Sequence, residues 1–595
     1  MASHLEDLTR QLRAWFDYPR AVQPSVAADG NTVYFISDRE GHPEAWQVPR
    51  TGGPPRRLFS SFERVGRVQP SPTGPRLVVA SDIGGDEHWA LTLWEADGTG
   101  PRALTHVPGR IHEPGAWRDG RNYLFRSNER DVRFFDIYEV DLERTDPPRC
   151  IREEDALLGV AAARGDRVLL VRSRTNIDTD LILRTDSRET LLNPRSSEQA
   201  VFDADLARDG VYAASNPDRE YAALVRYPFS GTTPELVHEF PGDVERVGVD
   251  RAGNRVALVT NDRGWSRLFV ADLGTGERVA LPIPYDGVVS TVAWAPDGSQ
   301  LYFDLSGSRL GSEIFRYDLG SREVRPVTAA ARPMPGTSVD PTLHEFRASD
   351  GLTVPYWEFR PIRPPRGTVI VVHGGPESQA RPMFSPLTAF LVDLGFRLVV
   401  PNVRGSLGYG RTYLHLDDVR RRMDSVRDLR ELVDRVQGTG PGTRRLGIIG
   451  ASYGGFMVLS AISTYPELWA AAVDVVGIAN FITFLERTGP WRRKVREDEY
   501  GSLERDRDFL RSISPLHQAD RIRAPLLVVH GANDPRVPVY EAEQIVDALR
   551  RREVPVEFLR FDDEGHGLVR RENQVRAYAR AAEFFERYLA PNDGA

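Results

Sequence analysis

A chain of 595 residues, 41% hydrophobic and 27% charged, is long enough for more than one domain with its own core and has the balance of a soluble globular protein. Its net charge of −8, spread along the sequence, excludes a basic nucleic-acid footprint and a disordered acidic tail. A single cysteine, Cys150, excludes an intramolecular disulfide and a multi-cysteine metal site, and fits a reducing cytoplasm.

The chain opens Met1-Ala2-Ser3-His4-Leu5-Glu6-Asp7, acidic where a secretion signal is basic and then apolar. Apolar runs such as Val369-Ile370-Val371-Val372 are far too short to span a bilayer. Leu5, Leu8, Leu12 and Trp15 or Phe16 recur at helical spacing and predict one short amphipathic helix within residues 1–20, packed on the C-terminal domain.

An internal repeat follows. Turn glycines stand at Gly30, Gly74, Gly120, Gly165, Gly210, Gly253 and Gly298, in steps of 44, 46, 45, 45, 43 and 45 residues. Each precedes a β-type run, from Val33-Tyr34-Phe35-Ile36 to Leu301-Tyr302-Phe303, and several units carry a second strand ending in Asp141, Asp272 or Asp318. A period of about 40–45 residues with several short strands is a propeller blade. Seven units predict a seven-bladed β-propeller over residues 21–330.

Pro333, Pro335 and Pro341 mark a linker, after which the pattern changes. Strands at 367–373, 396–401, 445–450, 525–530 and 555–560 alternate with helices at 424–436, 453–464, 539–551 and 571–589. Such alternation predicts a doubly wound, mostly parallel sheet with helices on both faces, over residues 331–595.

The chemistry concentrates there. Gly450-Ala451-Ser452-Tyr453-Gly454-Gly455 follows the apolar run Leu446-Gly447-Ile448-Ile449: strand, sharp turn, helix, with a serine at the apex. Small neighbours are needed because side chains would collide with the backbone of so tight a turn. Asp534 and His566 each follow a predicted strand, and the order Ser, Asp, His is that of α/β-hydrolases. A serine hydroxyl needs a base, which His566 supplies, and a carboxylate to hold the imidazole, which Asp534 supplies. Glycines in His373-Gly374-Gly375-Pro376 let backbone approach a substrate oxygen, so the Tyr453 and Gly375 N–H groups form the expected oxyanion hole. His373 and His530 end apolar strands and read as structural; His415 and His517 read as exposed; Asp562 and Asp563 sit awkwardly close to His566 to replace Asp534. The only lysine, Lys494, lies in a charged stretch, and no Gly-Lys-Ser/Thr phosphate loop exists.

His373-Gly374-Gly375-Pro376, Asn402-Val403-Arg404-Gly405-Ser406-Leu407-Gly408-Tyr409-Gly410, the Ser452 turn and Asp534-Pro535-Arg536-Val537-Pro538 together resemble the prolyl oligopeptidase family of serine peptidases, nearest its acylaminoacyl peptidase (acylpeptide hydrolase) branch. The resemblance implies that Arg536 binds a substrate backbone carbonyl and that Val537 walls the pocket for the residue before the cut. It also implies that the stretch holding Phe481, Phe484, Leu485 and Trp491 completes that pocket. Dipeptidyl peptidases of the family hold the substrate amine with paired glutamates; the only Glu-Glu pair here, Glu153-Glu154, lacks their surrounding motif and reads as a solvated turn. Prolyl endopeptidases usually carry a tyrosine in place of His373.

The expectation is a cytoplasmic serine peptidase that cuts short peptides through an acyl-enzyme, releasing N-acylated amino acids, with no metal and no cofactor. Its partners are short peptides, not nucleic acid or membrane, and a homo-oligomer is left open. The rival readings are a broader oligopeptidase or dipeptidyl peptidase, an esterase with the same three residues, and a non-enzymatic binding platform.

Overall fold

The computed structural model describes residues 2–61, 63–105, 107–186, 188–195, 197–231, 233–328, 335–336, 339–437 and 446–589. Its first half is a seven-bladed propeller: seven four-stranded antiparallel meanders begin at residues 21, 64, 112, 157, 201, 244 and 292. The repeating glycines sit at the hairpin between the first and second strands of each blade. At Gly30, Gly165, Gly253 and Gly298 φ lies between +62° and +73°, a region that side-chain-bearing residues rarely enter. The runs ending in Asp141, Asp272 and Asp318 are third strands.

Apolar residues from adjoining blades interdigitate, and the ring closes the same way. Val33, Phe35 and Trp46 of the first blade share a core with Tyr302, Ile314 and Val327 of the seventh. The Ala21 N–H also donates to the Ser312 carbonyl at 2.7 Å. The innermost strands surround an axial cavity of about 1010 Å³, lined by Gln23, Arg67, Asp203, Arg246 and Asp304 among others.

The second half is an eight-stranded sheet. In spatial order its strands are Thr342–Arg347, Thr353–Phe359, Phe396–Pro401, Gly367–Val372, Leu446–Ala451, Ala471–Val475, Leu526–Gly531 and Val556–Phe561. The first two pairings are antiparallel and the rest parallel. Helices Arg422–Gln437, Tyr453–Thr464 and Tyr540–Arg550 cover one face; Pro386–Asp393 and Arg571–Leu589 cover the other. The predicted helices 453–464 and 571–589 match in extent. Three strands of this sheet lay outside the expected alternation: the first two, which form a hairpin, and Ala471–Val475, whose five residues are interrupted by Asp474. The expected 330/331 boundary and Pro333 lie outside the described residues, as does Arg445 at the start of one predicted strand.

The N-terminal helix Ala2–Arg13 buries Leu8 and Leu12, followed by Trp15 and Phe16, against the helix Arg571–Leu589 and the sheet of the second domain. The two domains are further tied across the propeller rim. Arg381 meets Glu245 at 2.7 Å, Arg536 meets Glu87 at 2.8 Å, and Arg571 donates to the Asp38 carbonyl at 2.7 Å. His415 is not exposed as the sequence suggested: it is held between Glu198 of the propeller at 2.8 Å and Asp418 at 2.7 Å, and these hydrogen bonds raise its pKa to about 10. His517 is exposed.

Candidate active site

Ser452 ends the strand Leu446–Ala451 and opens the helix Tyr453–Thr464, with φ +58° and ψ −119°. So strained a backbone is tolerated because nothing bulky surrounds it. A Cβ on Gly450 would strike the Gly454 carbonyl, and one on Gly454 would strike the Val372 carbonyl. The turn leaves Ser452 Oγ 2.9 Å from His566 Nε2, and His566 Nδ1 lies 2.7 Å from Asp534 Oδ2. The structure thus joins three side chains that span 114 residues of sequence into one hydrogen-bonded line.

Asp534 is buried, yet well supplied with donors. Its Oδ1 accepts from the Arg536 and Val537 N–H groups at 2.8 and 3.0 Å. Burial alone would raise its carboxyl, but the charge of His566 and the hydrogen bonds from His530 and His566 outweigh that and hold it well below the usual carboxylate range. It therefore stays ionised and can orient His566 and stabilise an imidazolium. Asp562 and Asp563 turn instead to Arg560 and Arg570, at 3.0 and 3.2 Å.

Gly374 and Gly375 line the cavity beside Ser452. Gly374 packs so closely that a Cβ would come 3.4 Å from Ser452 Cβ and 2.9 Å from the Ala451 carbonyl oxygen. Among the described residues, neither the Gly375 nor the Tyr453 N–H is donated to another protein group. The Tyr453 side chain points the other way, its hydroxyl meeting Ser425 Oγ at 2.8 Å and Asp417 Oδ2 at 3.0 Å. Its side chain takes no part in the site, and Tyr453 is not among the residues that line the cavity. Asp417, Asp418 and Glu499 bring carboxylate oxygens together behind it, but the buried Arg422 already serves Asp417 and Glu499 as their cation.

His373 bonds Ser406 Oγ at 2.9 Å and the Gly374 carbonyl at 2.7 Å, and His530 bonds the Val537 carbonyl at 2.8 Å. Both act as braces at strand ends, as their positions suggested.

The cavity holding Ser452 and His566 has a volume of about 330 Å³. Of the residues expected around it, Phe484, Arg536 and Val537 line it. Phe481 and Leu485 do not: both are wholly buried, Phe481 against Phe456 at 4.8 Å and Tyr500 at 4.9 Å between ring centroids. They form core because the helix Phe481–Arg487 turns that face inward. Trp491 lines a separate cavity of about 610 Å³ between the domains, together with Glu154, Arg172 and Lys494. Glu154, expected in a solvated turn, is paired there with Arg172 at 2.6 Å and Arg152 at 2.9 Å.

Four further features escaped the sequence reading. Arg492, Arg496 and Tyr500 project into the Ser452 cavity from one face of the helix Pro490–Tyr500, at the i, i+4, i+8 spacing that was the only available signal. Glu87, from the second propeller blade, receives Arg536 Nε at 2.8 and 2.9 Å, a contact across 449 residues that no local pattern announces.

Such a cavity brings together groups that acyl transfer can use: a serine hydroxyl, an imidazole within hydrogen-bond reach of it and an ionised carboxylate behind the imidazole, with Gly374 and Gly375 alongside. Residues 382–592 match the sequence profile of the prolyl oligopeptidase family. A dipeptidyl aminopeptidase BIII from Pseudoxanthomonas mexicana is 26% identical over 96% of this chain and 87% of its own length. A dipeptidyl peptidase family member 6 from Caenorhabditis elegans is 32% identical, but over 38% of this chain and 31% of that protein. An acylamino-acid-releasing enzyme from Arabidopsis thaliana is 28% identical over 37% of this chain and 30% of its own length. Among solved structures, a puromycin hydrolase superposes with a TM-score of 0.85 at 20% identity, covering 97% of this chain and 96% of that one. That likeness is one of fold.

Proposed function

The chain belongs to the prolyl oligopeptidase family of serine peptidases, and from that premise we propose that it cleaves short peptides through a Ser452 acyl-enzyme, releasing N-acylated amino acids from blocked N-termini. Ser452 is the nucleophile. His566 takes its proton and gives it to the leaving amine, then takes a proton from the water that hydrolyses the acyl-enzyme and returns it to Ser452 Oγ, while Asp534 holds the imidazole tautomer. The Tyr453 and Gly375 N–H groups receive the tetrahedral oxyanion. Arg536 holds a substrate carbonyl, and Val537 and Phe484 wall the pocket for the residue before the cut. The single cysteine fits a reducing compartment, and a cytoplasmic setting is the reading we adopt. The propeller restricts entry to small or unfolded peptides.

The observation that carries the proposal is the Ser452–His566–Asp534 line, at 2.9 and 2.7 Å, beside two undonated N–H groups. The preference for a blocked N-terminus is supported by the charge of the cavity. The carboxylates that reach its arginines, Glu87 and Glu377, are paired with Arg536 and Arg496, and Asp534 is engaged by His566. A free α-ammonium would meet arginines with no spare anion, which disfavours it.

The nearly full-length match to a dipeptidyl aminopeptidase favours a second reading, removal of free dipeptides. Acetyl-aminoacyl, free dipeptidyl and blocked Gly-Pro anilides, assayed side by side, separate the two. A dominant free-dipeptidyl rate overturns the first reading. Matched acyl esters test the esterase alternative, and failure of a fluorophosphonate probe to label Ser452, with Ser452→Ala as control, would favour a binding platform.

A further inference from the structure

The cavity beside Ser452 contains a cation without an anion. Three guanidinium groups border it: Arg492, Arg496 and Arg536. Arg536 is paired with Glu87 at 2.8 Å and Arg496 with Glu377 at 3.4 Å. Arg492 has no carboxylate within ion-pairing distance among the described residues, and its Nε is buried without a hydrogen-bond partner. Burial first, then the neighbouring charges of Arg496 and Arg536, lower its pKa to about 10, so at neutral pH it remains a cation short of counter-charge.

A partly buried charge with no partner is costly, and removing the remaining water from one next to two like charges costs more. A helix exposed to solvent at this face would turn such a residue outward. Here it is one of the cavity's walls, one helical turn from Arg496 and two from Tyr500, and it faces the same space as Ser452. Ile478, Phe484, Tyr500 and Val537 add apolar or aromatic surface to the cavity, beside the polar Ser378 and the two glycines. Apolar walls around a planar five-donor fork suit a carboxylate carried on a short hydrocarbon stem.

We propose that Arg492 is a specificity residue that receives a substrate carboxylate beside the scissile bond, either the side chain of a glutamate or aspartate before the cut or the free carboxyl terminus of a very short peptide. This rests on the peptidase reading above but not on whether the substrate N-terminus is acylated. Binding of the carboxylate supplies the counter-charge that Arg492 lacks, and it positions the scissile carbonyl against Ser452. A bound isosteric amide displaces water from Arg492 without supplying a counter-charge, so discrimination between Glu and Gln exceeds what their shapes would give.

The test compares kcat/KM for acetyl-Glu, acetyl-Gln and acetyl-Ala anilides, and for acetyl-Ala-Ala with a free or an amidated carboxyl terminus, on the full chain and its Arg492→Met and Arg492→Lys variants. The expected result is a preference for Glu over Gln, or for free over amidated terminus, of about tenfold or more. In Arg492→Met that ratio falls to about one; Arg492→Lys keeps part of it. The arm that responds identifies the source of the carboxylate. Cleavage of acetyl-Ala anilide with neither preference overturns the inference and leaves the acyl reading standing. Turnover of free dipeptidyl anilides alone overturns the acyl reading, and the same Glu-to-Gln ratio measured on those substrates then decides for or against Arg492. Rates of Ser452 inactivation by phosphonates bearing Glu or Gln side chains give the ratio without turnover.

Discussion

Gly85 of the second propeller blade lies main chain to main chain against Gly565, the residue before His566. A Cβ on Gly85 would come 2.6 Å from the Gly565 nitrogen, and one on Gly565 would collide with the Gly85 carbonyl. Next to this contact Asn533 Nδ2 donates to the Gly84 carbonyl at 3.0 Å, and Arg536 pairs with Glu87. One propeller loop therefore braces both segments that present Asp534 and His566. Gly565→Ala is expected to push the His566 loop off its support. A shift of about 1 Å at a reacting group costs on the order of 10²-fold in rate. The variant's kcat should fall by about that factor while its far-ultraviolet circular dichroism is unchanged. An unaltered kcat would show that the propeller contact does not position His566.

Ser452→Ala and His566→Ala should each lower kcat by at least about 10⁴-fold, with a residual rate set by binding and the oxyanion donors. Asp534→Asn should cost a similar factor, since it removes the ionised acceptor that fixes the imidazole. Because Ser452 and His566 line a cavity rather than fill the core, the two alanine variants should unfold within a few degrees of the parent. Near-normal turnover in either would remove the proposed nucleophile or base.

What could be read from the sequence was what is local. The glycines at Gly30 and Gly298 announce blades because a hairpin glycine and its strand lie within a few residues. Gly450 and Gly454 announce the serine turn for the same reason. The pocket walls were not legible in this way. Phe481 and Leu485 lie on a helix whose apolar face could serve core or cavity, and only the tertiary packing that buries both, Phe481 against Phe456 and Tyr500, decides for core. Arg492 and Arg496 sit in a stretch so rich in charge that it reads as solvated, although the helix turns their face to the cavity. Glu87 and Arg536 meet only because two domains dock.

Arg536→Met should raise KM for peptide substrates about tenfold or more, with a smaller effect on kcat, because a hydrogen bond to a bound carbonyl serves ground state and transition state alike. Its pairing with Glu87 is partly exposed, with 41% of the arginine side chain accessible, so Glu87→Gln should change stability by less than about 1 kcal/mol. A drop in kcat with unchanged KM for Arg536→Met would place the residue outside substrate binding.

Asp474 sets a pH dependence that belongs to the fold rather than to the chemistry. It is fully buried at the end of the strand Ala471–Val475, against the Cα atoms of Gly455 and Gly477. Neither oxygen has a hydrogen bond of normal geometry. Burial raises its pKa to about 7, against weaker pulls from the charge of His530 and the Gly477 N–H. Unfolded, the same carboxyl titrates near about 3.9. Between these values the native state holds a proton that the unfolded chain releases, so Asp474 makes stability fall as pH rises through that window, and the whole penalty stands above it. Asp474→Asn removes the titration. Relative to the parent, the variant should gain stability as pH is raised from about 4 to 8, each tenfold in proton affinity being worth about 1.4 kcal/mol, and the gain should level off above pH 8. Urea midpoints of the two proteins across this range give the difference directly. A difference independent of pH would mean that the buried carboxyl is already ionised at the acid end and that His530 compensates it fully.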